Sequence, residues 1–293
     1  MALTNLGLTT AANEACISLG AGLARILPFA HSLNAEAARR GEIVKVPVYA
    51  TEAAEFDATS NNYGQQVNVV GVDVAVDKHP VAGFEATDVQ LTQSDVNFFA
   101  DGGRAAARAI ARKMNRDFFG MVKGDGSLVG ANYTITPSTK AGWTNLYSVA
   151  CDDDIDPNNA ALVLKPEKYA EVMALVGDAA IIGTDALASG VFKGGFAGFG
   201  YVISSPYLAA GVDGFIAERG ALAFGGRGIE VDESAYKQVG TVSDEHTGAP
   251  ITLMQFTKPE TGASYITATN LYGVKVLDPK HITIINAGGS YSA

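Results

Sequence analysis

Valine alternates with polar or small residues through "QVNVVGVDVAVDKHP", residues 66–80, a pattern that predicts a β-strand with one apolar face. Val67 and Val69 fall on one parity and Val72, Val74 and Val76 on the other, so a bulge is expected at the Val70-Gly71 pair. Upstream, "EIVKVPVYA", residues 42–50, supplies an antiparallel partner, and the stretch 51–64 between them is too long and too polar for a tight hairpin turn. A two-stranded ribbon on its own is marginally stable in water. This one must lean on the chain's own core or on another molecule.

The strongest helical period follows. Val96, Phe99, Ala106, Ile110, Met114, Phe118 and Met121 recur on one side of a helix expected over 94–123. Ser94 is its candidate N-cap and Gly124-Asp125-Gly126 its stop, and about 30 residues would span roughly 45 Å. Gly102-Gly103 is expected to weaken its early part. Arg104, Arg108, Arg112 and Arg116 fall every four residues on the side away from the apolar stripe. They form either a solvated face or a contact with acidic neighbours or packaged nucleic acid.

The flanking regions are less regular. An amphipathic segment over 11–27, stopped by Pro28 and followed by "HSLNAEAARRG", reads as an arm with little core of its own. "NNAALVLKPEKYAEVMALVG", residues 158–177, reads as a strand and then a helix with Pro166 in its first turn. Strands are expected in "YVISSPYL" and "GFIAERGALAF" and through a β-rich finish over 251–286. Strands and helices neither alternate regularly nor segregate cleanly, which points to an α+β architecture with separate lobes.

Composition narrows the function classes. The chain has 293 residues, 47% of them hydrophobic and only 18% charged, and this neutral surface hints at extensive contacts. Its net charge of −10 argues against a dedicated DNA binder, so any nucleic-acid contact should be local. Cys16 and Cys151 make no metal-ligand spacing, and a reducing compartment is expected. The N-terminus carries no positive charge before its apolar part, unlike a signal peptide, and no apolar run is long enough to span a membrane.

Candidate chemistry is sparse. His31, His79, His246 and His281 do not pair at ligand spacing. Asp152, Asp154 and Asp156 are spaced like a calcium loop and are the one candidate for a cation. Pro157, however, stands where that loop needs glycine and Val163 where it needs glutamate, so a polar turn is expected. "GGFAGFG", with Gly194, Gly195, Gly198 and Gly200, fits neither a dinucleotide fingerprint nor a P-loop. Ser234 and Lys237 have the Ser-x-x-Lys spacing of some acyl-transfer enzymes without the companion motifs. No catalytic residue, cofactor or reaction is expected.

The order of arm, ribbon, long helix, strand-helix lobe and β-rich return resembles a tailed-phage major capsid protein of the Hong Kong 97-type fold. The resemblance runs over nearly the whole chain, through "ALVLKPEKYAEVMALVG", "GFGYVISSPYLA", "AERGALAFG" and "YGVKVLDPKHITII". It implies an N-terminal arm over 1–41 and an extended E-loop ribbon over 42–92. It also implies a peripheral domain with the spine helix over 93–150 and 235–293, and an axial domain over 151–234. The ribbon would then lie across a neighbouring subunit, with Lys45, Tyr49, Phe56, Tyr63, Val67 and Val69 as candidate interface residues.

The resemblance implies a function without chemistry. Copies of the chain would join into hexamers and pentamers and close an icosahedral virion shell around double-stranded DNA, assembled in the host bacterial cytoplasm. Expected partners are a portal, a decoration protein and a separate scaffolding protein, the chain being expected to lack a cleaved scaffold segment. Some relatives cross-link the E-loop; Lys45 and Lys78 are available, but no acceptor is evident and no cross-link is expected. Two alternatives stay open: an encapsulin-like nanocompartment shell, and a soluble α+β enzyme.

Overall fold

A computed structural model of the chain describes residues 2–26, 29–34, 43–50, 68–87, 98–177, 191–196, 198–232, 234, 236–244, 248–258 and 263–286. Two long helices form its spine. Helix α1 (Ala2–Leu23) lies along α2 (Phe98–Phe119), and small residues at the crossing bring the backbones together. A Cβ on Gly103 would stand 2.5 Å from the Ala11 carbonyl oxygen, and one on Gly22 would stand 2.6 Å from the Ala111 Cβ. Apolar positions at steps of three and four, Leu8, Ala11, Ala15, Leu19 and Leu23, bury one side of α1 against Ala107, Ile110, Ala111 and Met114 of α2. The helical part of the segment expected to be an arm therefore contributes to the main core.

Helix α2 departs from expectation at two places. It runs unbroken through Gly102-Gly103, because Gly102 lies under the Phe84 ring and Gly103 under α1, so these glycines serve close packing. It ends at Phe119 rather than at Lys123, which gives 22 residues and a length of about 33 Å. Phe118 and Phe119 are both fully buried, edge to face with each other and beside Phe29. The expected N-cap, Ser94, lies outside the described residues.

Among the described residues four sheets surround this spine. The largest has six strands in the order β5 (Asn132–Ile135), β15 (Ile282–Asn286), β9 (Val212–Glu218), β6 (Ala160–Leu164), β8 (Phe199–Ser204), β7 (Val191–Phe196). Helices α3 (Lys140–Asp152) and α4 (Pro166–Gly177) cover one face through Trp143, Leu146, Tyr169 and Val172. The opposite face, with Val163, Phe215 and Ile284, joins the main core beside Phe118 and Phe119. β5 and β15 thus share one sheet with β6, β8 and β9, and α3 packs on it.

An antiparallel sheet of β11 (Gln238–Ser243), β12 (Pro250–Lys258), β13 (Ala263–Thr269) and β4 (Val81–Thr87) packs Ile251, Leu253, Ile266 and Ala268 into the same core. A third sheet joins β1 (His31–Ser32), β10 (Leu222–Arg227) and β14 (Leu271–Val276). The fourth is the ribbon itself, β2 (Ile43–Ala50) against β3 (Asn68–Ala75). Its pairing is continuous from Ile43 opposite Ala75 to Ala50 opposite Asn68, so the expected bulge at Val70-Gly71 is absent. Val70 keeps the parity of Val72, Val74 and Val76, and Gly71 lies opposite Pro47, where neither residue projects a long side chain.

Candidate functional site

The ribbon has one apolar face, built by Val44, Val46 and Val48 opposite Val74, Val72 and Val70. At its root Val46 and Val74 are buried in a cluster with Leu33, Ala223 and Leu277. Cover thins along the ribbon: Val48 and Val72 are half-buried and Val70 is 51% exposed. The other face is polar, with Lys45 paired across the strands to Asp73 at 4.0 Å and 79% exposed. Tyr49 and Val69 lie opposite each other in the ladder, while Phe56, Tyr63 and Val67 lie outside the described residues.

Where the ribbon returns to the body, it is clamped. Lys78 and Tyr272 exchange backbone hydrogen bonds of 3.1 and 2.9 Å, and a Cβ on Gly273 would collide with the Ala75 backbone, so β14 and the ribbon root touch main chain to main chain. Asp117 of α2 closes the arrangement. Its Oδ2 accepts from the Tyr272 hydroxyl at 2.7 Å and the Lys78 ammonium at 3.3 Å, and its Oδ1 accepts from Lys113 at 2.8 Å. Burial raises the Asp117 carboxyl, but the hydrogen bonds from Lys113 and Tyr272 and the Lys78 charge outweigh it and leave the group below the ordinary carboxylate range. Burial, and then the hydrogen bond to Asp117, push the Tyr272 phenol far above its usual value. Nothing in the sequence signals this clamp, since Tyr272 and Asp117 stand 155 residues apart.

The arginine row divides in two. Arg104 donates to Glu14 at 2.8 Å and to Asp101 at 3.0 Å, and its hydrogen bond holds the Glu14 carboxyl below the usual range. Arg108, Arg112 and Arg116 are exposed, and among the described residues no carboxylate lies within ion-pair distance of them. Arg112 Nε donates to the Arg108 carbonyl at 3.2 Å, and the Arg116 guanidinium lies 5.9 Å from the Tyr207 ring centroid. Arg25, at the end of α1, stands beside this row, a neighbour that sequence spacing does not reveal.

The remaining candidates resolve into local structure. Asp152 ends α3, and Asp154 and Asp156 lie in the turn after it: Asp154 adopts φ 58° and the Asp156 carboxylate accepts from the Asn158 N–H at 3.1 Å. Among the described residues no three side chains are grouped to hold a metal ion. "GGFAGFG" belongs to the β7–β8 hairpin, where Gly198 takes φ +90°. The Ser234 N–H donates to Asp232, and the Lys237 N–H to the Gln255 carbonyl. His79 Nε2 meets Thr269 at 2.6 Å and His281 Nδ1 lies 3.2 Å from Asp278, while His31 is exposed and His246 lies outside the described residues. Among the described residues no helix is long and apolar enough to cross a membrane.

The architecture is thus a β-ribbon rooted beside a long helix, with a helix-covered sheet and an antiparallel sheet packed around it. Solved structures share it. The crystal structure of a virus-like particle from Pyrococcus furiosus matches over 95% of this chain and 99% of that one, at 11% identity and a TM-score of 0.58. The capsid of a native GTA particle matches over 92% and 90%, at 12% identity and a TM-score of 0.58. Mycobacterium phage Che8 matches over 88% and 89%, at 16% identity and a TM-score of 0.50. At these identities the likeness is one of fold. No curated protein matches the chain significantly. The family model described as "Phage capsid protein" matches residues 68–285, and the chain belongs to that family. It is a capsid shell protein with the Hong Kong 97-type fold.

Proposed function

We propose that the ribbon of each subunit reaches over a neighbour and that its uncovered valine face becomes buried there. The observation that carries this reading is the gradient of cover along the ribbon, from buried Val46 and Val74 at the root to half-exposed Val70. Both outer strand edges lack a partner strand among the described residues, a feature that a monomer must protect and an assembly can use. Lys45 and Tyr49 travel with the same strand, and together with Phe56, Tyr63, Val67 and Val69 they are the proposed contact residues.

Copies then join head to tail into rings that close as the icosahedral head of a tailed, double-stranded DNA phage. Each contact is modest, and their multiplicity holds the shell. The subunit catalyses no reaction in this role. A portal, a separate scaffolding protein and a decoration protein are its proposed partners, and assembly takes place in the host bacterial cytoplasm. The test is to image particles of the full chain and of Val70→Asp by negative-stain electron microscopy, and then to treat them with nuclease. Shells from the wild type, none from Val70→Asp, and a nuclease-protected genome in particles from infected cells are expected. Shells formed equally well by Val70→Asp would reject the ribbon contact, and protected protein cargo without DNA would favour the encapsulin-like alternative.

A further inference from the structure

The unpaired arginines border a groove of about 460 Å3 between α1, α2 and the segment after β8. Its floor is made of Ala21, Gly22 and Ala111, and its walls carry Arg25, Arg108 and Arg112, with Tyr207 at one end under Arg116. Asn115, 7% exposed, fixes the floor: its Nδ2 donates to the Gly22 carbonyl at 2.9 Å and to the Ala111 carbonyl at 2.8 Å, tying α1 to α2. Arg25 spends one N–H on the Ser204 carbonyl at 3.2 Å and keeps the rest of its fork. Three cations thus line one trough and Arg116 stands beside its Tyr207 end, with no carboxylate within ion-pair distance of the four among the described residues, on a chain whose net charge is −10.

We propose that this trough binds the phosphodiester backbone of the nucleic acid enclosed by the shell, with Arg25, Arg108, Arg112 and Arg116 as the contacts and Arg104 excluded. The proposal rests on the shell function above and names the surface that meets the contents. Three features select a phosphate chain over an acidic peptide. Arg108, Arg112 and Arg116 are spaced about 6 Å apart along a helix, a linear array about 12 Å long. A duplex presents one phosphate per roughly 3.4 Å on each strand, so the array runs beside three or four of them. The small-residue floor admits a backbone closely but offers no deep apolar seat for the side chains that anchor a peptide. No element of the trough is arranged to read base edges, so the contact is indifferent to sequence.

Full-length subunits, kept unassembled as verified by light scattering, would be titrated with a fluorescent 30-base-pair DNA duplex by anisotropy across a salt series. Four neutralised phosphates predict a salt slope near −3.6, or about a 150-fold loss of affinity between 50 and 200 mM salt. Replacing Arg108, Arg112 and Arg116 together by Gln should cut that loss to about 3-fold, replacing all three by Lys should restore most of it, and Arg104→Gln should leave it unchanged. An RNA duplex that binds like the DNA supports a backbone contact blind to the sugar, and a DNA preference supports one matched to the B-form.

Three results would overturn the proposal: an unchanged slope in the triple Gln variant, an equal loss on Arg104→Gln, or competition by polyglutamate as effective as by DNA. Melting curves establish that the variants fold. Electron microscopy separates the two claims, since variants that close shells yet bind DNA as the wild type does reject the trough alone, whereas a wild type that never assembles rejects the shell function.

Discussion

The clamp at the ribbon root makes a quantitative prediction through Tyr272→Phe. The substitution removes a single oxygen from a fully buried ring and leaves no cavity of consequence. What is lost is a 2.7 Å hydrogen bond to an ionised carboxylate, a class of bond worth about 1.5–3 kcal/mol. Asp117 keeps Lys113 and Lys78, so it is not stranded, and a loss of about 2 kcal/mol at pH 7 is expected. With an unfolding entropy of about 2.1 cal/mol/K per residue, a chain of 293 residues should melt roughly 3 °C lower.

The pH dependence has a definite sign. The folded Asp117 carboxyl titrates below its unfolded value of about 3.9, so its stabilisation is complete above that value and is lost as pH falls through the lower folded one. The difference between wild type and Tyr272→Phe should therefore hold steady from pH 8 to 6 and shrink below about pH 4. Denaturant unfolding of unassembled subunits across this range measures it. A difference below about 0.5 kcal/mol at pH 7, or one that grows as pH falls below about 4, would refute a charge-assisted clamp.

Other substitutions probe the ribbon and its seat. Val74→Ala should destabilise the subunit by about 2 kcal/mol in denaturant unfolding, whereas Val70→Ala should cost under about 0.5 kcal/mol. The two should reverse in assembly, with the Val70 variant folding normally and closing fewer shells by electron microscopy. Gly273→Val drives a side chain into the Ala75 backbone and should lever the ribbon root from β14, at a cost of about 1–3 kcal/mol. Hydrogen exchange at the Lys78 and Tyr272 amides should then accelerate at least tenfold, and unchanged protection would contradict the seat described.

Sequence periodicity revealed the elements that carry their own pattern. The ribbon strands and the spine helix were legible because one side of each is apolar at steps of two or of three and four, and their order carried the family resemblance. Reading failed where a long-range neighbour decides. Gly102-Gly103 looked like a weak point in isolation, yet Phe84 and Ala11 sit against those glycines. Val67 and Val69 suggest a bulge because their alternation is out of phase with the later valines, whereas the apolar face begins at Val70. Arg104 and Arg108 look alike in the row, and Asp101 one turn earlier and Glu14 on α1 tell them apart, the second only through tertiary packing. Arg25 and Tyr207 joined the arginine trough through tertiary packing, which local spacing does not encode.

The most direct measurement is to express the full chain, separate it by size exclusion and image the high-mass fraction by negative-stain electron microscopy. Closed shells, with rings or tubes as incomplete forms, are predicted. A subunit that stays monodisperse near its 30.4 kDa chain mass, even with a crowding agent, would contradict the account.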